Sequence, residues 1–532
     1  MKYLMCAILC ACIILFAVPA YAFTDVGSGH WAYSDIMTLK EKNITQGMGN
    51  GMFGMGLAVT RAQFVTFLSQ LMNWNTSVVS GGAWYASHVN AAMNAGAISA
   101  SEARDFRPND PITREEMAIM LVRSLGYETL AQQLNTLASP FDDVTNNIGY
   151  ITMAKDLGII YGVTPTEFHP EANATREQAA SMMVRMYNKL ANTYTKNKPI
   201  NMFYAIDSFD QSYLISAADS VCLGWCRVEW DNGVRINQST DNSNDYYRPA
   251  KYEVVLDNIR GQGKRALLMV SVENKYVFSG GGDIALSAYL ISNASLRSQM
   301  VNQIAAVAAD YDGVAIDFEN LKASSKDNFV LFLKELKNMM NPAANYMAVA
   351  VQPARASEYF NGYDFRAIGN VADLVILMAH DYNAKRLSYE EMSSGFTTTP
   401  LTPINDVYYG LSVITDRSMG VTDISKICFQ LSFASAQWKL KGGVILNDTP
   451  YTPAYSAIYN RIADGAAVNY SEKYDNTYIT FVNHDDGTDN IVWYEDERSV
   501  DAKLRLASLF GVKGLSVWRL GIIPDDVLDL FR

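Results

Sequence analysis

One pattern recurs three times within residues 23–190, and this repetition restricts the possible folds more than any other feature of the sequence. In each copy a phenylalanine stands seven residues before a Thr-Arg pair, and a stretch with helical periodicity follows. Such repeats are typical of supersecondary units that bury a core only when several copies pack together. We therefore expect three helical repeats, 23–78, 79–138 and 139–190. The phenylalanines are Phe53, Phe106 and Phe168, and the pairs are Thr60-Arg61, Thr113-Arg114 and Thr175-Arg176.

Each Thr-Arg pair is predicted to open a helix. Glutamine or glutamate follows every threonine by three residues, which is the pattern of a capping box. The arginine then lies in the first turn, where a cation opposes the helix dipole. Free backbone N–H groups in that turn, together with the arginine, could bind an anion. The alternative is an arginine whose stem packs on a neighbouring helix. We favour anion binding, because the unfavourable charge recurs at Arg61, Arg114 and Arg176.

The three copies resemble the S-layer homology module, which combines a Phe-x-Asp-Val opening, a tryptophan and a Thr-Arg helix start. The openings are FTDV at 23–26 and FDDV at 141–144, and Trp31 and Trp84 each precede a Thr-Arg pair by 29 residues. The resemblance implies a pseudo-threefold anchor that binds anionic secondary polysaccharide of the bacterial cell wall. The third copy departs from the pattern, because Gly149 stands where the tryptophan is expected.

The first 22 residues have the pattern of an export signal. Lys2 is followed by an apolar stretch from Leu4 to Val18 and then by Ala20-Tyr21-Ala22, a small-residue cleavage site. The apolar stretch is shorter than the ~20 residues that a membrane-spanning helix needs. We therefore expect residues 1–22 to be removed and the protein to be secreted, without a transmembrane segment in the mature chain and attached non-covalently to the cell wall or surface layer.

Charge and cysteine content exclude several classes of protein. The chain carries 43 Lys and Arg against 55 Asp and Glu, a net charge of −12, which argues against a nucleic-acid binder. Only Cys222, Cys226 and Cys428 follow the signal, so no disulfide framework is expected and all three are predicted to be buried. No His/Cys cluster has zinc spacing, and no metal or organic cofactor is implied.

After a polar linker at 191–199, residues 200–532 alternate β-rich and helical stretches. Eight strands within roughly 330 residues predict a (β/α)8 barrel. A β-hairpin around His484 is expected as an insertion before the last helix. The predicted strands are 201–206, 220–228, 265–272, 312–319, 346–352, 373–380, 426–433 and 513–518.

The segment 311–320, YDGVAIDFEN, carries the strongest chemical signal. With period two, Ala315, Asp317 and Glu319 point into the barrel, at the strand end where barrel enzymes place their chemistry. Two acids held close together should raise the pKa of one of them, which leaves a protonated acid beside a carboxylate. That pair suits cleavage of a glycoside. Because both acids lie on one side, a substrate whose own acetamido oxygen attacks the anomeric carbon fits best.

This segment resembles the Asp-Gly-x-Asp-x-Asp-x-Glu signature of family 18 glycoside hydrolases, in particular the spore and cell-wall branch of N-acetylglucosaminidases. LMAHDY at 377–382 and GLSVWRLG at 514–521 are similar to that family's sixth and eighth strands. The resemblance implies Glu319 as general acid/base and Asp317 as the partner that orients the acetamide. It further implies substrate contacts from the residues at the ends of these two strands, which are His380, Asp381, Tyr382 and Trp518.

Two departures from the signature leave three functions open. Ala315 replaces the middle acid, and His380 replaces a tyrosine whose hydroxyl donates to the acetamide. We favour an exported, wall-anchored hydrolase of β-linked N-acetylglucosamine glycans; a glycan-binding lectin and a structural surface-layer protein are the alternatives. Peptidoglycan and chitin remain open as substrates, as do endo- and exo-action. The aromatic residues Trp225, Trp230, Tyr246, Tyr247 and Trp438 could line sugar subsites.

Overall fold

The computed structural model describes residues 23–77, 82–191, 198–355, 361–380, 382–395 and 400–531. The predicted export signal, most of the predicted linker and Asp381 lie outside these residues. The chain divides into two compact units, Met1–Asn188 and Lys189–Arg532. No helix among the described residues combines the length and apolar character that crossing a membrane requires.

The first unit consists of short helices joined by turns. The predicted capping boxes are present at Thr60, Thr113 and Thr175, where each threonine side chain accepts from the backbone N–H three residues on. Short antiparallel bridges connect segments of different repeats, for example Thr60 with Pro111. The helices are α1 (Tyr33–Glu41), α2 (Arg61–Leu71), α3 (Ala86–Asn94), α4 (Ala100–Arg104), α5 (Arg114–Ser124), α6 (Glu128–Gln133), α7 (Ile148–Asp156) and α8 (Arg176–Ala191).

The second unit contains a closed barrel of eight parallel strands, as predicted. Each strand pairs with the next along the chain, and the last pairs with the first. All eight observed strands overlap the predicted ones. They are β1 (Ile200–Tyr204), β2 (Ser220–Leu223), β5 (Arg265–Val272), β8 (Gly313–Asp317), β9 (Tyr346–Val351), β10 (Leu374–Leu377), β11 (Ile427–Ser432) and β17 (Gly514–Trp518).

Several predicted strands are shorter than expected; the predicted strand 373–380, for example, is observed only over Leu374–Leu377. The stretch 220–228 divides into β2 and β3 (Arg227–Trp230), because β3 leaves the barrel and pairs antiparallel with β4 (Val234–Asn237). The stretch 312–319 ends at Asp317, so Glu319 follows the strand instead of lying on it.

The barrel interior is filled by small and medium-sized apolar side chains, among them Ala315, Cys222 and Met269. Phe318, which follows the last residue of β8, stacks on Phe332 with ring centroids 5.0 Å apart. The helices of this unit are α9 (Tyr252–Gly261), α10 (Leu286–Ser292), α11 (Ala294–Ala308), α12 (Lys326–Met339), α13 (Phe365–Val371), α14 (Tyr389–Ser393), α15 (Ile404–Ile414), α16 (Tyr455–Ala463) and α17 (Glu497–Leu509).

Two antiparallel insertions accompany the barrel. A small hairpin, β6–β7, follows β5, and a five-stranded sheet lies between β11 and α17. The hairpin predicted around His484 is present as β15–β16, but the sequence did not predict the three strands that extend it. The strands of the small hairpin are β6 (Tyr276–Ser279) and β7 (Gly282–Ala285). The strands of the five-stranded sheet are β12 (Ala436–Lys441), β13 (Val444–Ile445), β14 (Ala467–Ser471), β15 (Asn476–Asn483) and β16 (Thr488–Tyr494).

A buried ion pair joins this sheet to α17. Lys503 Nζ lies 2.8 Å from Glu495 Oε2, and both side chains have no exposed surface. Asn476 donates to the same carboxylate at 3.2 Å, and Ser499 donates at 2.6 Å. Because the Glu495 oxygens and the Lys503 ammonium are hydrogen-bonded, the pair avoids the large loss of solvation energy that an isolated buried charge would suffer.

Candidate active site

Strand β8 brings an acidic pair to the carboxyl end of the barrel. A β-carbon added at Gly313 would lie 1.9 Å from the carbonyl oxygen of Tyr346, so only glycine lets β8 start this close to β9. At the other end of the strand, Asp317 is the last strand residue and Glu319 follows two positions later. The site therefore forms where barrel enzymes hold their reactive groups.

The backbone that carries Glu319 is held from both sides. Ser287 Oγ donates to the carbonyl oxygen of Glu319 at 3.1 Å. On the other side, Gln352 Oε1 accepts from the backbone N–H of Asn320 at 2.8 Å and from the Tyr363 hydroxyl at 3.2 Å. These bonds hold the backbone at Glu319 and Asn320 in place although both residues lie beyond the end of the strand.

Asp317 is held in an environment that favours its neutral form. Its exposed fraction is 8%, and no donor among the described residues lies within hydrogen-bonding distance of Oδ1. Burial raises the pKa of Asp317 well above its usual range, and the charge of Glu319 raises it further. The raised pKa favours a neutral Asp317 beside Glu319, and its direction is the one that the sequence analysis expected for one acid of the pair.

Glu319 lies between two cavities that open at the barrel mouth. The first has a volume of about 290 Å³ and includes Asp317 and Tyr246 in its lining. The second has a volume of about 360 Å³ and includes His380. Both cavities share Glu319, Asn320 and Asn274. The two cavities thus form adjoining parts of one cleft, with the carboxylate at their junction.

The predicted substrate contacts are only partly brought together. His380 lines the second cavity, and its Nε2 lies 2.7 Å from Gln430 Oε1. Trp518 and Tyr382 belong to the lining of neither cavity. Trp518 packs on Phe203 with ring centroids 5.3 Å apart, and Arg355 lies over the Tyr382 ring. Asp381 is outside the described residues, so its role stays a prediction.

Several cleft residues were missed by the sequence analysis. Gln352 directly follows β9 and Asn274 lies two residues after β5, so position relative to the strand ends was the signal that could have identified these two. Of the aromatic candidates, Tyr246 lines the first cavity, whereas Trp225 and Trp438 are fully buried. The missed residues are Arg227, Asn274, Gln352, Arg355, Asn383 and Lys385.

The three arginines of the first unit are buried, with exposed fractions of 2 to 5%. Each donates from Nε to the backbone carbonyl of a phenylalanine in another repeat, and the three bonds form a closed cycle. Binding of an anion by these residues stays a prediction, and the observed bonds also give them a role in joining the repeats. The bonds run from Arg61 to Phe106, from Arg114 to Phe168 and from Arg176 to Phe53, at 2.9, 2.8 and 2.8 Å.

Within the described ranges, no group of three or more His, Cys, Asp or Glu side chains is arranged to hold a metal ion. Cys222, Cys226 and Cys428 are buried and unbridged, and burial raises the pKa of the first two thiols to about 12.

Comparison with known families agrees with this architecture. Residues 240–522 match glycosyl hydrolases family 18, and the chain belongs to this family. The first unit matches the S-layer homology domain three times, at residues 22–65, 79–118 and 140–180.

Individual relatives share only parts of the chain. Amylopullulanase of Thermoanaerobacterium thermosulfurigenes is 32% identical over 181 residues, which cover 32% of this chain and 10% of that protein. The putative sporulation-specific glycosylase YdhD of Bacillus subtilis is 25% identical over 265 residues, which cover 47% of this chain and 57% of that one. The chain thus matches about a tenth of the length of the amylopullulanase and somewhat over half of the length of the glycosylase.

A solved structure shares the fold. The C-terminal domain of a putative chitinase from Desulfitobacterium hafniense superposes with a TM-score of 0.50 and 18% identity. The superposition covers 63% of this chain and 98% of that domain.

Proposed function

We propose that this chain hydrolyses glycans that contain β-linked N-acetylglucosamine, by a retaining mechanism in which the substrate's acetamido oxygen attacks the anomeric carbon. Glu319 protonates the leaving oxygen and later removes a proton from the incoming water. Asp317 supplies this proton to Glu319, and the Asp317 carboxylate then accepts from the acetamido N–H and orients that group. The observation that carries the proposal is the burial of Asp317 beside Glu319, which favours one neutral and one ionised carboxyl group.

The cleft geometry supports cleavage within a chain of sugars. Glu319 lines both cavities, so sugar units can occupy the cleft on either side of the bond to be broken. We therefore favour endo-action. The remaining predicted contacts, from His380, Asp381, Tyr382 and Trp518, belong to this proposal as binding residues for the sugar bearing the acetamido group.

The S-layer homology repeats support a location for this activity. We propose that the first unit attaches the exported protein to anionic secondary polysaccharide of the cell wall, with Arg61, Arg114 and Arg176 as polysaccharide contacts. The match to three such domains supports this role. Peptidoglycan would then be the glycan within reach of the enzyme.

The test is the substitution Glu319→Gln, which keeps the shape of the side chain but removes its proton transfer. Release of new reducing ends from peptidoglycan and from chito-oligosaccharides should fall by about 10²- to 10⁴-fold, while calorimetric binding is retained. Glu335→Gln is the matched control, because Glu335 pairs with Arg297 at 2.9 Å and lines neither cavity. Equal product release by the wild type and the Glu319→Gln variant would contradict the proposal.

A lectin is the second candidate, and one observation favours it. Ala315 lies in the barrel interior where the family signature has an acid, so Asp317 has no carboxyl partner on its own strand below it. A protein that binds chito-oligosaccharides but yields no products by mass spectrometry after long incubation would support the lectin instead of the hydrolase.

A further inference from the structure

A chain of hydrogen-bonded polar side chains crosses the interior of the barrel and begins at His380. The imidazole Nε2 lies 2.7 Å from Gln430 Oε1, and Gln430 Nε2 donates to Ser516 Oγ at 3.1 Å. Ser516 Oγ donates in turn to Asn201 Oδ1 at 3.0 Å. Asn201 Nδ2 then donates to Ser220 Oγ at 2.9 Å. The chain connects the end of β10 to strands β11, β17, β1 and β2.

These side chains are almost completely removed from solvent. A polar group buried in this way is costly unless its hydrogen bonds are made, and a complete network holds its members in one arrangement. Of these side chains only His380 lines the cleft, so the proposed substrate chemistry does not require the other members of the hydrogen-bonded network. The exposed fractions are 7% for His380, 1% for Gln430, 0% for Ser516, 1% for Asn201 and 4% for Ser220.

The direction of the hydrogen bonds determines which nitrogen of His380 carries a proton. Ser516 accepts from the Gln430 amide N–H, so the Gln430 carbonyl oxygen is the atom that faces the imidazole. A carbonyl oxygen only accepts. His380 Nε2 must therefore donate, and in the neutral imidazole the lone pair is left on Nδ1.

We propose that Gln430 is a positioning residue that holds His380 in the Nε2–H tautomer and in one orientation toward the cleft. The consequence for catalysis rests on the proposed function. With Nε2 engaged by Gln430, a neutral His380 offers the cleft an acceptor at Nδ1, and only the imidazolium offers a donor there. His380 can therefore donate a hydrogen bond to the acetamido group, as the tyrosine hydroxyl of the family pattern does, only when its imidazole carries a positive charge.

Several charged groups lie near His380 in the second cavity. The described charged groups that share the second cavity with it are Glu319, Arg355 and Lys385, from the loops after β8, β9 and β10. The residue that faces it from β11, Gln430, is uncharged. Asp381, next to it in sequence, lies outside the described residues.

The tautomer can be measured directly on the full chain. Histidine labelled with ¹⁵N gives long-range ¹H–¹⁵N spectra that distinguish the two tautomers, and the chain has five histidines in all. The signal of His380 is assigned by its loss in His380→Gln. At a pH where this ring is neutral, the Nε2–H pattern is expected. An Nδ1–H pattern would overturn the proposal, and this result does not depend on whether the protein is an active hydrolase.

A second variant tests the role of Gln430. Gln430→Met removes both of its hydrogen bonds, so His380 should show a mixture of tautomers, and kcat should fall by about tenfold with KM nearly unchanged. Gln437→Met is the matched control, because it removes an amide hydrogen bond of 2.7 Å to Asn490 in the inserted sheet. A pure Nε2–H tautomer retained in Gln430→Met would contradict the proposal. Inactive wild-type protein with the expected tautomer would contradict only the proposed hydrolysis.

Discussion

Two buried ionisable side chains, one in each unit of this chain, are held in opposite ways. In the helical unit, the guanidinium of Arg114 is buried but donates to the carbonyl oxygens of Phe168 and Tyr161, at 2.8 and 3.0 Å. In the barrel, Asp317 is buried to a similar degree, yet no donor among the described residues reaches its Oδ1. The first arrangement joins repeats, whereas the second leaves a carboxyl group available for other chemistry.

Two aspartates show the electrostatic side of this difference. Asp25 is partly exposed, and its carboxylate accepts from the backbone N–H groups of Phe53, Gly54 and Met55 at 2.7 to 3.0 Å. Burial is the largest single influence and raises the pKa of Asp25, but the backbone bonds together outweigh it, and the pKa is lowered. For Asp317 burial dominates, and the pKa is raised.

The difference separates charges that stabilise the fold from a charge that costs stability. A buried ionisable group whose hydrogen bonds are complete contributes to stability, while one with a missing partner reduces it. Groups of the second kind with strongly shifted pKa values concentrate at functional sites. The contrast therefore supports the assignment of the barrel mouth, and not the repeat junctions, as the place of catalysis.

The largest effect is expected for Asp317→Asn. Product release should fall by about 10²-fold or more, because the amide cannot share a proton with the substrate or with Glu319. Stability should change in the opposite direction. Because the pKa of Asp317 is raised in the folded protein, the wild type loses stability as the pH rises through that pKa and Asp317 ionises. The asparagine does not ionise, so the variant should gain stability relative to wild type over the same pH range. Glycan digestion and thermal unfolding between pH 4 and about pH 8 check both parts.

Asp312→Asn is the matched control for this prediction. Asp312 immediately precedes the same strand, and its Oδ2 accepts from the backbone N–H of Ala266 at 2.8 Å. Its replacement should lower stability by about 1 kcal/mol and leave product release nearly unchanged. If Asp312→Asn and Asp317→Asn destabilise the protein equally at neutral pH, the proposed contrast between satisfied and unsatisfied carboxylates is wrong.

The next largest effect is a loss of stability on breaking the buried Lys503–Glu495 pair of the barrel unit. Lys503→Met leaves the Glu495 carboxylate buried without its cation, which should cost about 3 to 5 kcal/mol of unfolding free energy. Product release per folded molecule should be unchanged, because neither residue lines the cleft. Denaturant unfolding measures the first quantity. The double variant Lys503→Met with Glu495→Leu should recover much of the loss, and an unrecovered loss would show that the pair matters through packing instead of charge.

Much of the architecture could be predicted from local sequence. The eight barrel strands are short apolar runs rich in β-branched residues, so their positions follow from composition and spacing. The capping boxes at Thr60 and Thr113 depend on residues only three apart. The inward direction of Asp317 follows from the period of two along β8, and Asp317 lines the first cavity, which agrees with that direction.

The rest depends on contacts between distant parts of the chain. Gln430 and Asn201 both bond Ser516 although they are far apart in sequence, and no local pattern indicates such a network. The cycle of arginine bonds likewise joins repeats that are separated by about 50 residues or more. Glu319 was placed on the strand by periodicity, whereas the loss of sheet pairing after Asp317 depends on neighbouring strands.

A smaller effect is expected for Arg114→Met in the helical unit. The carbonyl oxygens of Phe168 and Tyr161 lose their donor, so the unfolding free energy should fall by about 3 kcal/mol. Arg104→Met is the matched control, since Arg104 is exposed and its replacement should change stability by less than about 0.5 kcal/mol. Attachment to purified cell walls, measured in parallel by sedimentation, tests the proposed anion contact. Loss of attachment without loss of stability would place Arg114 in binding and not in joining the repeats.

The smallest effect is expected for Asp25→Asn, and its pH dependence gives it diagnostic value. The asparagine side chain has one acceptor oxygen instead of two and no charge, so it cannot accept all three backbone N–H bonds. The unfolding free energy at neutral pH should therefore fall by about 1 kcal/mol. Because the pKa of Asp25 is lowered, its stabilisation is present above the unfolded value of 3.8 and is lost as the pH falls through the folded one. The difference between wild type and variant should therefore shrink on acidification, opposite in sign to the trend for Asp317→Asn. A difference that is constant from neutral to acidic pH would mean that the hydrogen bonds act without the charge.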